Sequence, residues 1–226
     1  MTAASGTRMP AAERRLALVD AALRVFSEGS YAGATTAQIA REAGVSEPIL
    51  YRHFASKRDL YVACLDEAWS RIRTRIEEKM EELGPAEGWR AIGPATMREV
   101  KVLVPSLWMQ AITEAGQDPE IRRHVRGHMR EVHDYFADVL RRVQAAGAIH
   151  PDRDPDAEAW IFVAGTLLVS VADRLGGPLG PQDFEAIKSE RHRWLSGGGK
   201  PTVSPRRAPL PSAPGSEPRP ARPTGE

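Results

Sequence analysis

The sequence predicts an all-α chain: an N-terminal three-helix head containing a helix-turn-helix, joined by one long helix to a larger C-terminal helical body. Three observations carry that reading. Apolar residues recur at three- and four-residue spacing through most of residues 11–195, the period of a helix with one buried face. The interruptions are helix punctuation, with Thr35, Ser56, Asp118 and Asp154 at starts and Gly29, Gly44 and Gly84 at ends. Residues 35–57, TTAQIAREAGVSEPILYRHFASK, hold two short helices, a tight turn and the start of a third helix.

In chain order, residues 1–10 show no apolar pattern and read as a disordered arm. Residues 11–28 form an amphipathic helix with the stripe Leu16, Val19, Leu23 and Phe26, ended by Gly29, and support the turn motif from behind. Arg14 and Arg15 on that helix are expected as solvated charges, with phosphate contact as the alternative.

Thr35 and Gln38 have the spacing of a capping box, in which side chain and backbone satisfy each other's open donors. Ile39, Ala40 and Ala43 make a narrow apolar stripe, and Gly44 follows where a helix end wants a left-handed residue. Val45 buries between the helices. Ser46 is placed to cap the next helix, with Glu47 and Pro48 in its first turn. Two helices split by a Gly-containing turn of about three or four residues are a helix-turn-helix. The second helix, 47–53, turns Leu50 and Phe54 to the core and leaves Glu47, Pro48, Ile49, Tyr51, Arg52 and His53 outward or flanking. A phenol, a guanidinium and an imidazole on so short a face suit phosphates and base edges. Ser56 and Asp59 repeat the capping pattern, and Lys57 adds its charge to a helix N-terminus, which favours a DNA phosphate.

The run Thr35-Thr36-x-x-Ile39-Ala40-x-x-Ala43-Gly44-Val45-Ser46, followed by Tyr51-x-His53-Phe54-x-x-Lys57-x-x-Leu60, resembles the tetracycline-repressor (TetR) family of bacterial regulators. The resemblance is firm from about residue 11 to residue 69 and covers the remainder only in helical layout. It implies that Thr36, Tyr51, His53 and Lys57 touch phosphates, and that Glu47, Pro48 and Ile49 lie nearest base edges, with Ser46 in the same DNA-binding set. Arg52 joins that set on its own charge and exposure. Glu47 departs from a generic DNA-facing residue, because a carboxylate repels phosphate; it accepts from a cytosine amino group or stabilises its helix N-terminus.

Residues 57–83 form a long helix carrying Tyr61, Leu65, Ala68, Ile72, Ile76 and Met80, ended by Gly84-Pro85. The resemblance makes it the lever between head and body. Residues 87–117 hold two or three helical pieces interrupted near Pro94 and Pro105. Asp118-Pro119 opens a helix to Gly147 with the stripe Ile121, Val125, Met129, Val132, Phe136, Val139 or Leu140, and Val143. Asp154-Pro155 opens another, 155–175, apolar nearly all round, which implies core on one side and a partner subunit on the other. The last helix is 182–195. These two helices are the expected homodimer interface, with Ala157, Ala164 and Gly165 allowing close approach. Residues 196–226 carry eight prolines and only Val203 and Leu210 as large aliphatics, and read as a disordered tail. The domains are therefore 1–10 arm, 11–60 head, 61–195 effector-binding and dimerisation body, and 196–226 tail.

Composition bounds the function. At 226 residues and 42% hydrophobic, the chain can bury a substantial core. A net charge of only +1 means that DNA affinity must come from placed contacts and a second copy rather than bulk charge. The single cysteine, Cys64, excludes an internal disulfide framework and fits a reducing cytoplasm. The first ten residues lack the apolar core of a signal peptide, and the most apolar run, 159–172, is shorter than the ~18 residues of a membrane span. A soluble cytoplasmic protein with no membrane partner is expected.

Catalysis has no support: there is no Gly-x-Ser-x-Gly, and Gly197–Gly199 lie in the tail rather than in a phosphate loop. No cofactor is implied. His124, His128 and His133 share a helix, but no cysteine and no obvious carboxylate completes a metal site, so packed or solvent-facing histidines are expected. A pocket for a small hydrophobic or aromatic effector is expected among Met97, Trp108, Met109, His128, Met129, Tyr135, Phe162 and Thr166, with His128, Gln110 or Thr166 as polar anchors. The resulting expectation is a repressor that binds an inverted-repeat operator as a dimer and is released by that effector. The alternative is a helical protein-interaction module whose helix-turn-helix is structural only.

Overall fold

Helix punctuation sets most element boundaries. The computed structural model describes residues 10–92 and 104–198, and in them lie eight helices and no strand. They are α1 Ala11–Glu28, α2 Thr36–Glu42, α3 Glu47–Tyr51, α4 Lys57–Ala91, α5 Val104–Glu114, α6 Pro119–Ala145, α7 Pro155–Arg174 and α8 Pro181–Leu195. Ser56 Oγ accepts from the Asp59 amide at 3.1 Å to start α4. Asp118 accepts from the Glu120 and Ile121 amides at 2.8 and 3.2 Å to start α6. Gly84, at φ 77, breaks the helical path inside α4 just ahead of Pro85, and a short final piece follows.

Some expectations need correcting. α3 stops at Tyr51, not His53, because the Arg52 and His53 amides bond the carbonyls three residues back, at 3.2 and 2.9 Å. Ser46 stands at the N-cap of α3 but its hydroxyl caps nothing. Pro48 has no amide to offer, and the Ile49 amide already binds the Ser46 carbonyl at 2.9 Å. In α1, Leu16 is exposed and Leu18 is buried instead, so the packed face is Leu18, Ala22 and Phe26 beside Val19 and Leu23. Pro105 stands in the first turn of α5, so a helical piece begins there, as its spacing implied. The arm through residue 9, Pro94, Met97 and the tail from residue 199 lie outside the described residues.

Two apolar cores meet inside α4. The first joins α1 to α3 with Leu60, Tyr61, Cys64, Leu65 and Ala68 of α4, and extends to Leu107 and Ala111 of α5 and Ile121 and Val125 of α6. The second begins at Trp69 and takes in Ile72, Ile76 and Met80 with Phe136, Leu140 and Val143 of α6, Ala159 of α7 and Leu195 of α8. The head core therefore does not end at residue 60: it continues two turns along α4 and into α5 and α6.

α7 holds the longest apolar stretch among the described residues. Its 18-residue stretch Pro155–Ala172 has mean hydropathy 1.3, so by length and composition alone it reaches what a membrane crossing needs, longer than the run 159–172 counted in the sequence. Its setting is that of a packed helix with one open side. Ala159, Val163, Ser170 and Ala172 are buried, and Glu158, also buried, accepts from Trp194 Nε1 of α8 at 2.9 Å and pairs with Arg191. Ile161, Leu168, Val171 and Leu175 remain exposed on the other side.

Candidate nucleic-acid interface

The turn motif is held from both ends. Thr35 Oγ1 accepts from the Gln38 amide at 3.1 Å, and Gln38 Oε1 accepts from the Thr35 amide at 3.1 Å, the reciprocal pair that the spacing predicts. Gly44, at φ 68, lets the chain reverse so that the Val45 amide reaches the Ala40 carbonyl at 2.9 Å. Leu50 and Phe54 are fully buried, which fixes the rotation of α3 about its axis. Pro48, Tyr51 and Arg52 then stand exposed, with Thr36, Glu47, Ile49 and His53 half-buried beside them. Ile49, Arg52, His53 and Ser46 line one wall of an open notch of ≈ 920 Å³, whose other wall is Pro10, Ala11 and Arg14 at the start of α1.

Three of the expected contact residues bind one another. Thr36 Oγ1 donates to Glu47 Oε1 at 2.5 Å and lies 3.1 Å from the Tyr51 hydroxyl. Glu47 thus spends part of its charge on α2, a role that neither reading of its carboxylate in the sequence anticipated. The bond holds α2 against the first turn of α3 and sets the direction of the Tyr51 ring. Lys57 is also engaged within the protein. Its ammonium donates to the Tyr31 and Ala34 carbonyls at 2.9 and 3.1 Å and sits 4.5 Å from the Tyr31 ring centroid. A lysine has three N–H donors, so one remains for an anion. The charge reaches the α4 N-terminus, tied to the α1–α2 loop rather than extended into solvent. Arg15 of α1 stacks over the Phe54 ring at 4.8 Å.

Behind this face, the residues that join head to body were not legible as such. Gln110, expected as a pocket anchor, is buried and fully occupied. Its Oε1 accepts from the Tyr31 amide at 2.8 Å, and its Nε2 donates to the Phe26 carbonyl at 3.0 Å. That fastens α5 to the end of α1. Tyr61 donates its buried hydroxyl to the Leu107 carbonyl at 2.8 Å, and burial pushes its pKa up, so it stays protonated. Arg58, in the first turn of α4, pairs with Asp118 at 3.3 Å and with Glu120 at the head of α6. Gln110, within a mostly apolar helix, was the sign of this joint in the sequence.

The expected effector residues fall along an aromatic series. Ring centroids are 4.7 Å apart from Trp108 to His128, 6.0 Å from His128 to Trp69 and 5.3 Å from Trp69 to Tyr135. The series continues through Phe136 at 5.4 Å to Phe162 at 4.2 Å and Trp89 at 5.6 Å. Met129 and Trp108 each pack against the head-side core, and Met109 is half-buried. Thr166 donates to its own helix at the Val163 carbonyl, 2.7 Å away, which leaves it a weak anchor. Of the three histidines, His133 is held by Asp134 and the Asp156 carbonyl at 2.8 and 3.1 Å. His124 and His128 instead face Asp66 of α4, which corrects the expectation that no carboxylate lies near them.

A family model described as bacterial regulatory proteins, tetR family, matches residues 18–64, the span from α1 into α4 that holds this face. A second, the C-terminal model of BetI-type transcriptional repressors, matches residues 104–166. Over these two stretches the chain is similar to the TetR family. It is 32% identical to the HTH-type transcriptional regulator BetI of Rhizobium meliloti over 113 residues, 49% of this chain and 56% of that protein. It is 50% identical to the HTH-type transcriptional activator FasR of Mycolicibacterium smegmatis over 60 residues, 26% of this chain and 27% of that protein. These matches span from about a quarter to just over half of the relatives' lengths. Among solved structures, the regulatory protein TetR of Rhodobacter sphaeroides superposes with TM-score 0.67 at 21% identity, over 80% of this chain and 98% of that one. A transcriptional regulator of Saccharomonospora viridis, solved in complex with choline, superposes with TM-score 0.55 at 22% identity, over 81% and 96%. At such identities the TetR-family fold is what is shared.

Proposed function

We propose that this regulator represses transcription by binding an inverted-repeat operator as a homodimer, and that a small hydrophobic or aromatic effector releases it. The observation that carries the reading is the exposed face of α3. Leu50 and Phe54 anchor the helix so that Pro48, Tyr51 and Arg52 project together, flanked by Thr36, Ile49 and His53, at the scale of a major-groove contact. Tyr51, His53, Lys57, Thr36 and Arg52 would hold phosphates, and Pro48 and Ile49, with Ser46 and Glu47 beside them, would lie nearest bases. The exposed apolar side of α7, with Ile187 and Trp194 of α8, supports pairing of two copies through residues 155–175 and 182–195. Two heads reading successive major grooves would stand about 34–36 Å apart.

The test is selection from random-sequence DNA at two salt concentrations. Enrichment of an inverted repeat is expected; retention without any enriched sequence would favour the interaction-module reading instead.

A second reading of the effector, a quaternary ammonium compound, is favoured by the aromatic series. Faces of Trp and Tyr attract such cations, and the similar Saccharomonospora regulator holds choline. Thermal shifts with choline and with its uncharged isostere 3,3-dimethylbutan-1-ol separate the two readings. Stabilisation by choline alone selects the cation, and stabilisation by the alcohol alone selects the apolar effector.

A further inference from the structure

We propose that Asp66, His124 and His128 form a binding site for one divalent transition-metal ion of the zinc, cobalt and nickel class. The two histidines lie one helical turn apart on α6, and the carboxylate comes across from α4. Their donor atoms all lie within 4.8 Å of one another. Asp66 Oδ1 is 3.0 Å from His124 Nε2 and 4.0 Å from His128 Nδ1. A tetrahedral ion bound at about 2.0–2.2 Å needs neighbouring donors roughly 3.4 Å apart, so small side-chain rotations suffice.

The decisive observation is His128. It is 4% exposed, and among the described residues neither of its ring nitrogens has a hydrogen-bond partner. Buried polar atoms in native proteins are nearly always paired, so a buried imidazole with both nitrogens unpaired beside a second imidazole and a carboxylate is placed as a ligand is placed. The Trp108 and Trp69 rings wall it at 4.7 and 6.0 Å, holding the imidazole on the Asp66 side of α6. An open notch of ≈ 340 Å³, lined by Arg58, Asp59, Val62, Glu120, Arg123 and His124, gives an ion and its waters a way in from solvent.

The donor set selects the ion. Two imidazoles suit zinc, cobalt and nickel, whereas magnesium and calcium call for oxygen throughout. Three protein donors leave at least one position for water, the arrangement of an exchangeable ion rather than a closed structural one. An ion here ties α4, which carries the head, to α6, and His128 then serves the ion rather than the effector.

The test is titration of the untagged full-length chain with Zn²⁺ against a chromophoric chelator of micromolar affinity, with Co²⁺ visible absorption as a second readout. One ion per chain is expected, with Co²⁺ giving d–d bands. Losing a donor should cost more than the about 10–100-fold that follows loss of a partner outside the coordination shell. Asp66→Asn and His124→Ala, both at partly solvent-exposed positions and so expected to fold, should each weaken binding about a hundredfold or more. His192→Ala, an exposed histidine on α8, should leave it unchanged. Failure of the wild-type chain to compete for Zn²⁺, or wild-type affinity in both Asp66→Asn and His124→Ala, would overturn the proposal. No DNA enters the measurement, so its outcome is separate from that of the operator selection.

Discussion

Tyr51 and Lys57 carry the same expected duty through different surroundings, and mutation should separate them. Tyr51 is half exposed and, among the described residues, its hydroxyl meets only Thr36, so Tyr51→Ala removes a contact and leaves no buried group unpaired. If it holds a phosphate, its loss weakens binding to all sequences alike; Arg52→Ala, which removes a charge, should in addition flatten the salt slope by ~0.9. A salt slope unchanged in Arg52→Ala would remove that residue from the phosphate contacts. Lys57→Ala also strips the Tyr31 and Ala34 carbonyls of their donor, so a drop of about 1–2 kcal/mol in stability should accompany any loss of affinity. The outward residues of α3 were legible because helical spacing from two buried anchors determines them. The Lys57 and Gln110 bonds were not, since each joins groups far apart in sequence that only the packed helices bring together. Gln110→Leu tests the second case. It would leave the Tyr31 amide and the Phe26 carbonyl without partners, at about 1–3 kcal/mol in denaturant unfolding.

Among the elements, α4 shows best how local signals and packing divide the work. Its start at Ser56 and its break at Gly84 were readable from capping and backbone preference, and its buried stripe from periodicity. That its two halves serve different cores was not readable, because both halves present the same apolar spacing and the division at Ala68–Trp69 is set by which helices arrive opposite. The far half is clamped by a two-pronged pair, Arg142 Nη1 and Nη2 to Glu77 Oε2 and Oε1, each at 2.9 Å. The Arg142 hydrogen bonds hold the Glu77 carboxyl below its ordinary 4.5. A carboxyl lowered in the folded state contributes stability that is present above its unfolded pKa and lost as pH falls through the folded one. With Glu77 34% and Arg142 44% exposed, water screens the pair, and Glu77→Gln should cost about 0.5–1 kcal/mol at pH 7. The difference from wild type should close as pH falls below the ordinary carboxyl range in pH-resolved thermal melts. A penalty that stayed constant across that range would mean that packing, not charge, holds the two helices.

For the whole molecule, the decisive surface is the open side of α7. Ile161, Leu168, Val171 and Leu175 repeat at helical spacing, and between them Ala164 and Gly165 are also exposed, with open space where a Gly165 side chain would stand. One exposed leucine means little, but a stripe of four with small residues at its middle is a surface shaped for a second helix. If two copies pair there, each head is positioned by its partner through α7, α6 and the pairs that join α6 to α4. Affinity for a two-site operator would then depend on dimerisation. Leu168→Glu tests this at a side chain that is 49% exposed in the single chain, so the fold itself should survive. Burying an unpaired carboxylate in an interface costs at least ~2 kcal/mol, or roughly thirtyfold in the dimer dissociation constant. Sedimentation should therefore show a shift to monomer at micromolar concentration, with far-UV circular dichroism unchanged. Binding to the inverted repeat should fall steeply in the variant, while weak binding to an isolated half-site persists, because α3 is untouched. A variant that remained dimeric would move the interface elsewhere and leave the exposed stripe of α7 for a different partner.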